Sequence, residues 1–385
     1  MSAVTEDRPA GSSRTVRRVD PRVFMIPLMI YAASRLAQLA ILDWMIPPNT
    51  GGVREHLIAW DSGWFSRVAR EGYPHGYTYD DNGMTGNGLA FFPGYPLLIR
   101  GVHEVTRLGY ETSGLVVTWL AAAVAAILVY ALGRSLYNER VGIMLTALFC
   151  TQPMSLVLSM GYSEAIFVAF LAGMLLAAHK EHWLTAGALG LAAALTRPTG
   201  AAAAVALAVA VLLNIRKNGV QWRPLAAASV ALAGVPAYLV WVGLRVGDMH
   251  AWFDIQTAGW GSTFDWGMST FRFVRDALHI SDGWVEISIA WMLVVVVAVA
   301  VVAVRQRVWP PLVVYGLIAL VLILGEGGYF HSKPRLFVPV LLILVPGAVA
   351  LARAGTRTAA LVLTGYAAFG LWYGAYLVTV WHFAI

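Results

Sequence analysis

Two carboxylates and several cations stand in this sequence where ions are costly to keep. Asp61 lies within Trp60-Asp61-Ser62-Gly63-Trp64-Phe65, and Glu164 follows Gly161-Tyr162-Ser163 inside a long apolar block. Arg197 lies in Thr196-Arg197-Pro198-Thr199-Gly200, while His331, Lys333 and Arg335 fall in the segment 329–335, just before another apolar run. Ionisable groups at or within a membrane boundary are functional candidates by default, because their retention costs free energy. A carboxylate held there is able to take a proton from a hydroxyl as a general base. Each residue also has a plainer account. Asp61 could cap the helix that begins near it. Glu164 suits the first turn of a helix, where the dipole favours an acid. Arg197 could snorkel to the interface, and Lys333 and Arg335 could form a solvated pair in a loop.

The elements that position these groups follow from composition and block length. The chain has 385 residues, 59% apolar and only 12% charged, against about 25% charged in an ordinary soluble domain. That excludes a disordered chain, and the apolar residues come in long blocks rather than in the stripes of a soluble core. The net charge of +6 comes largely from basic residues in short loops, where they set membrane orientation; no nucleic-acid partner is implied. Spanning helices need about 20 apolar residues. Candidate blocks cover 23–42, 113–133, 141–179, 183–213, 224–246, 284–304, 310–325, 335–352 and 358–381.

Two of these blocks are too long for single spans. Each holds a break: Gln152-Pro153 and Gly161-Tyr162-Ser163 in 141–179, and Arg197-Pro198 in 183–213. The loops around them, with Arg134 and Arg140, then Lys180, then Arg216, Lys217 and Arg223, all have the basic character of cytoplasmic loops. An even number of crossings must separate consecutive cytoplasmic loops, so each long block should be a pair of short helices. The expected fold is an all-α polytopic bundle of about eleven transmembrane helices, forming one integral-membrane domain over 23–385. Residues 1–22, polar and rich in Arg, read as a disordered cytoplasmic tail rather than a signal peptide. The N-terminus is then cytoplasmic, and the loops 43–112 and 247–283 are extracytoplasmic. On that outer face four segments should converge: the first loop, the turn at Glu164, the turn at Arg197 and the segment 329–335.

The first loop carries an expected interfacial helix over 60–73. Trp64, Phe65, Val68 and Ala69 would face lipid, with Arg67 and Arg70 facing water. A second interfacial segment, 90–99, has a functional reading too, and simple anchoring accounts for it at least as well. The loop 247–283 sets Trp252, Trp260 and Trp266, with Trp284 just beyond it, beside Asp248, Asp254, Asp265 and Asp282. Aromatic faces beside carboxylates suit sugar binding, and an interfacial aromatic belt accounts for them equally well. The Ala-rich run 186–210 reads as close helix packing through small residues.

Over 59–100, the pattern WDSGWF, then AREGY, then LAFFPGYPLLIR resembles the first loop of the PIG-V-like mannosyltransferases, within the GT-C class of polytopic glycosyltransferases. The turn Tyr162-Ser163-Glu164-Ala165 is similar to that family's Ser/Thr-Glu-Ala turn. Thr196–Gly200 is similar to its Arg-Pro turn, and Lys333-Pro334-Arg335 to its late basic motif. Ser62 stands where a Gly is common, and Leu336-Phe337 where Tyr-Leu is more usual. The resemblance implies a GT-C-like fold, a polyprenyl-phosphate mannose donor and inverting transfer to a hydroxyl, with Asp61 as the catalytic base.

Such a donor already carries a good leaving group. The enzyme must then deprotonate the acceptor and stabilise a lipid phosphate that gains charge. Asp61 would do the first. Arg197, Lys333, Arg335 and His331 would bind the phosphate, Arg being suited to bidentate contact. Glu164, Trp60, Trp64 and Tyr162 would position the acceptor or sugar, or Glu164 would orient Arg197. No metal or other cofactor is expected: His179 and His182 fall on the cytoplasmic side, and Asp80-Asp81 reads as a solvated pair. Glycolipid, lipid-linked glycan and protein hydroxyl are all open as acceptors, with membrane lipids as the surroundings. The alternatives are a lipid or glycan transporter or flippase, for which internal symmetry and mid-helix charges would be expected, and a non-catalytic subunit of a glycosylation complex. An Ala-rich, Arg-over-Lys composition with short loops points to a bacterial plasma membrane.

Overall fold

The computed structural model describes residues 21–381 and Phe383, so the expected tail lies outside the described residues apart from Pro21 and Arg22. Helix α1 (Arg22–Met45) leads into the first long loop. That loop carries α2 (Val53–Leu57), α3 (Asp61–Glu71), an antiparallel hairpin of β1 (Thr78–Asp80) and β2 (Gly83–Thr85), and α4 (Gly94–Thr106). Six helices follow: α5 (Tyr110–Leu136), α6 (Glu139–Thr151), α7 (Glu164–His179), α8 (Trp183–Ala194), α9 (Gly200–Asn218) and α10 (Trp222–Val246). The second loop holds α11 (Ala251–Trp260) and α12 (Met268–His279). The chain then runs through α13 (Trp284–Arg305), α14 (Pro310–Gly325), the short α15 (Lys333–Leu336), α16 (Val345–Arg353) and α17 (Thr356–Thr379).

Both over-long apolar blocks are interrupted at the expected residues. α6 stops at Thr151 before Gln152-Pro153 and the chain resumes as α7 at Glu164, while α8 and α9 are separated by the Arg197-Pro198 turn. Among the described residues, α1, α5, α9, α10, α13 and α17 are each long and apolar enough to cross a membrane. A bent pair, Phe330–Leu336 with Leu341–Arg353 at 75°, makes a seventh if it is one broken span. The chain is therefore a multi-pass membrane protein. α7, α8 and α14 are apolar but only 16, 12 and 16 residues long, so length and composition establish fewer crossings than the eleven expected.

The break after α6 leaves helix-end carbonyls in an apolar interior, where each needs a donor. Arg35 of α1 supplies it. Its buried guanidinium donates to the Cys150 carbonyl at 2.5 Å, the Ser155 carbonyl at 2.7 Å and the Ser159 hydroxyl at 3.2 Å. Arg35→Leu would orphan these acceptors at about 1–3 kcal/mol each. The expected outcome is a lower thermal midpoint and a smaller monodisperse fraction in detergent; an unchanged midpoint would mean that the carbonyls find other donors.

Small residues bring α8 and α10 into close contact, as expected for the Ala-rich run. A Cβ on Gly187 would lie 2.7 Å from Ala227 Cα, and one on Gly234 would lie 2.5 Å from Ala194 Cβ. The first loop corrects an expectation. Phe65, Val68 and Ala69 of α3 do not face lipid but are buried in protein. Phe65 and Ala69 pack with Tyr95, Ile99 and Ile166, because α4 and α5 lie across that face of α3. Segment 90–99 is likewise more than an anchor. The Gly94 N–H donates to the Leu195 carbonyl at 2.7 Å, and a Cβ there would come within 2.6 Å of Thr196 Oγ1. Glycine at this position lets the start of α4 press against the Arg197 turn.

Candidate active site

Asp61 is the first residue of α3, and the N-cap position belongs to Trp60. Trp60 has φ 51 and ψ −114, a left-handed φ that a bulky side chain adopts only under constraint, at a cost of about 1–3 kcal/mol. The Asp61 carboxylate meets a cation instead: its Oδ2 accepts a hydrogen bond from Arg335 Nη1 at 2.7 Å. The side chains of Asp61 and Arg335 are 20% and 12% exposed.

Arg335 is the middle of a longer chain of charge. Its Nε lies 3.5 Å from Glu164 Oε1, and the same oxygen lies 2.8 Å from Arg197 Nη1. Arg197 also donates to the Ser163 hydroxyl at 2.9 Å, and the Arg335 guanidinium lies 4.9 Å from the centre of the Tyr162 ring. Two carboxylates and two guanidiniums thus alternate as Asp61, Arg335, Glu164, Arg197. Glu164 is buried, so its charge depends on this compensation. The first-turn position expected for Glu164 is observed as well, since α7 begins with it.

Local sequence explains how segments far apart in the chain lock together. The Gly161 N–H donates to the Leu57 carbonyl at 2.9 Å, and a Cβ on Gly161 would lie 2.1 Å from Ser62 Oγ. Only glycine lets the turn before Glu164 sit against the start of α3. That contact fixes the height of Glu164 relative to Asp61.

The other candidate residues separate into two groups. Lys333 is buried and lines the same cavity, but its Nζ donates to the Ile323 carbonyl and, at 2.7 Å, to the Glu326 carbonyl. It therefore holds the C-terminal end of α14, where a cation is favoured by the helix dipole. His331, Trp60, Trp64 and Tyr162 do not line the cavity. The 3-10 turn Phe330–Ser332 places the His331 ring among Tyr329, Trp381 and Phe383. Trp64 stacks on Phe91 and meets Trp260 edge-on, with Arg67 over its ring at 4.9 Å. Tyr162 lies beneath Arg335, and Trp60 packs against the main core.

Asp61, Glu164, Arg197, Lys333 and Arg335 all line one cavity of about 450 Å³. Another part of its wall is apolar. α10 and α14 each pack on α9; Val235 and Leu239 line the cavity from α10, Ala319 and Leu322 from α14, and Ala201 from α9. A ligand with a charged head and an apolar tail suits such a space.

The second loop divides between the cavity and its own structure. Trp252, Gln256 and Trp260 of α11 line the cavity, whereas Trp266 is 86% exposed and the Trp284 indole donates to the Tyr376 hydroxyl at 3.1 Å. Gln256 had no distinguishing signal in the sequence. Asp282 is exposed, and Asp248, Asp254 and Asp265 serve contacts within the protein. Tyr77 donates to Asp248 at 2.9 Å and to Asp254 at 3.2 Å, tying the first loop to α11. The His250 backbone N–H, and then Tyr77, hold the Asp248 carboxyl below the usual carboxylate range. Asp265 is held low chiefly by the Ser269 hydroxyl, with help from the backbone N–H groups at the start of α12. Among the described residues, no three His, Cys, Asp or Glu side chains are gathered as a metal site.

Residues 92–241 match the family model described as dolichyl-phosphate-mannose-protein mannosyltransferase. The chain is 34% identical over 151 residues to GPI alpha-1,6-mannosyltransferase 2 of Rattus norvegicus, covering 37% of this chain and 28% of that protein. It is 30% identical over 147 residues to the Homo sapiens protein of the same name, covering 36% and 27%. These matches thus span less than a third of the curated relatives. Among solved structures, ArnT from Cupriavidus metallidurans bound to undecaprenyl phosphate aligns with a TM-score of 0.55 at 17% identity, over 88% of this chain and 62% of that one. The Archaeoglobus fulgidus oligosaccharyltransferase tethered to an acceptor peptide aligns with a TM-score of 0.50 at 11% identity, over 92% and 55%. At these identities the structural likeness concerns the fold alone.

Proposed function

We propose that this chain, whose resemblance to the PIG-V-like mannosyltransferases of the GT-C class is borne out by these comparisons, transfers mannose from a polyprenyl-phosphate donor to an acceptor hydroxyl. The observation that carries this reading is the single cavity in which Asp61 and the Arg197–Glu164–Arg335 cluster meet a largely apolar wall. A lipid-phosphate sugar presents the complementary surfaces. Its phosphate matches the guanidiniums, and its tail matches the apolar surface contributed by α10, α14 and α9. The names of similar proteins support the same ligand class: one refers to undecaprenyl phosphate, and others to mannose transfer.

In the proposed reaction the acceptor oxygen attacks C1 of the mannosyl group, and the bond between C1 and the phosphate oxygen breaks. The electron pair leaves with the phosphate, and the acceptor proton passes to the Asp61 carboxylate. Attack from the face opposite the phosphate inverts the configuration at C1. Arg335 and Arg197 stabilise the charge that develops on the departing phosphate, as cations already held in place can. Glu164 orients both guanidiniums. Lys333, engaged with the end of α14, adds positive potential to the cavity. The active site faces the extracytoplasmic side of a plasma membrane in this account, with the N-terminus cytoplasmic and about eleven crossings.

Arg335→Ala tests the phosphate role. It should raise the apparent KM for the lipid-phosphate donor by about ten- to a hundredfold, as expected for losing one charge-assisted phosphate contact, while the acceptor KM changes little. Equal losses for donor and acceptor would remove Arg335 from the phosphate site.

A further inference from the structure

We infer that Arg335 is an exchangeable latch, which pairs with Asp61 in the empty site and is drawn away from it by the phosphate of the incoming donor. The inference rests on the proposed transfer reaction and adds an order of events to it. An inverting displacement places the base and the leaving group on opposite faces of the sugar carbon. Inverting glycoside hydrolases illustrate the space required, with their two catalytic groups about 6.5–9.5 Å apart. Here the base and a cation suited to the leaving phosphate are in direct contact, at 2.7 Å. Asp61 and the phosphate compete for Arg335 Nη1, and a sugar between them needs room, so in this inference the Asp61–Arg335 contact opens before the reacting geometry forms.

The surroundings of Arg335 favour that movement. Its Nε stays near the buried Glu164, which is itself tied to Arg197. The terminal Nη1 meets Asp61, the more exposed of the two carboxylates. The Tyr162 ring provides a flat cation-binding surface beneath the guanidinium. Rotation of the terminal part of the side chain would therefore break the outer pair while keeping the inner one. The donor's phosphate, a singly charged diester, competes for such a guanidinium through paired N–H contacts, and more strongly as charge builds on it during transfer. Asp61 Oδ2 is released from Arg335 only once the donor is in place, which gives donor-first binding.

The latch predicts an unusual result, because removing the base should improve binding of a lipid phosphate, for which undecaprenyl phosphate, the group the donor releases, serves as the probe. Equilibrium binding of undecaprenyl phosphate to full-length protein in detergent, normalised to the folded fraction, should be compared for the wild type, Asp61→Asn, Asp61→Ser and Asp61→Glu. Asn and Ser should bind roughly three- to tenfold more tightly, the scale of a partly exposed ion pair. Glu keeps the competing charge and should bind like the wild type. The uncharged polyprenol should show no such gain. Using both Asn and Ser keeps the test usable if one variant folds poorly. Saturable wild-type binding with no gain in Asn and Ser would overturn the latch and leave the transfer reaction standing. A similar gain for polyprenol would overturn it too, by showing that the effect is steric. If the wild type neither binds the phosphate nor transfers mannose, the underlying reaction fails and the latch with it.

Discussion

Asp61→Asn is expected to lower mannose transfer by about 10²–10⁴-fold, the range that a general base contributes, while leaving membrane insertion and thermal stability close to wild type. The two halves of this expectation have separate causes. Asn is nearly isosteric with Asp and still offers Arg335 a carbonyl oxygen, and the Asp61 side chain is 20% exposed, so its loss leaves no deeply buried unpaired charge. Proton acceptance has no such substitute: the amide does not take a proton from an acceptor hydroxyl at neutral pH. The strained backbone at Trp60 points the same way, since non-glycine residues held at such dihedrals cluster at functional sites. Transfer within about threefold of wild type would reduce Asp61 to a structural partner of Arg335.

Glu164→Gln should behave in the opposite manner, losing both stability and activity. Glu164 is 1% exposed and compensates two guanidiniums, at 2.8 and 3.5 Å. Its neutralisation leaves Arg197 and Arg335 as like charges in a partly buried site, with Asp61 the remaining carboxylate of the cluster. Removing one partner from a buried charge network costs about 3–5 kcal/mol. A fall of several degrees in thermal midpoint is expected, with transfer lost beyond what the folded fraction explains. The pair of variants separates two roles: Asp61→Asn keeps the fold and stops the reaction, whereas Glu164→Gln damages the framework that aims both Arg side chains. A Glu164→Gln protein with wild-type stability and transfer would make Glu164 an ordinary first-turn acid.

The sequence carried the helix breaks more clearly than the contacts they serve. Gln152-Pro153, Gly161-Tyr162-Ser163 and Arg197-Pro198 interrupt apolar blocks too long for one span, and proline and glycine have local effects that need no tertiary context. The direction of α3 was not legible. Phe65, Val68 and Ala69 form an apolar face whether lipid or protein covers it, and the covering elements are α4 and α5. The same limit hid the partner of Asp61. Arg335 lies 274 residues away, and nothing in the spacing of either motif reveals that they touch. Lys333 shows how a cation in a basic motif acquires a local role, because the end of α14 offers it carbonyls that sequence alone does not place. The second loop showed its aromatic residues and acids plainly, but only the fold separates Trp252 and Trp260, at the cavity, from the exposed Trp266.

In the proposed reaction this cavity moves mannose from a lipid phosphate to a hydroxyl through Asp61. Membranes containing equal amounts of wild-type and Asp61→Asn protein, incubated with radiolabelled polyprenyl-phosphate mannose, test it most directly. Label should appear in a lipid or protein product with the wild type and stay in the donor with the variant. No labelled product from wild-type membranes supplied with glycolipid, lipid-linked glycan and protein acceptors, or equal labelling by both proteins, would contradict it.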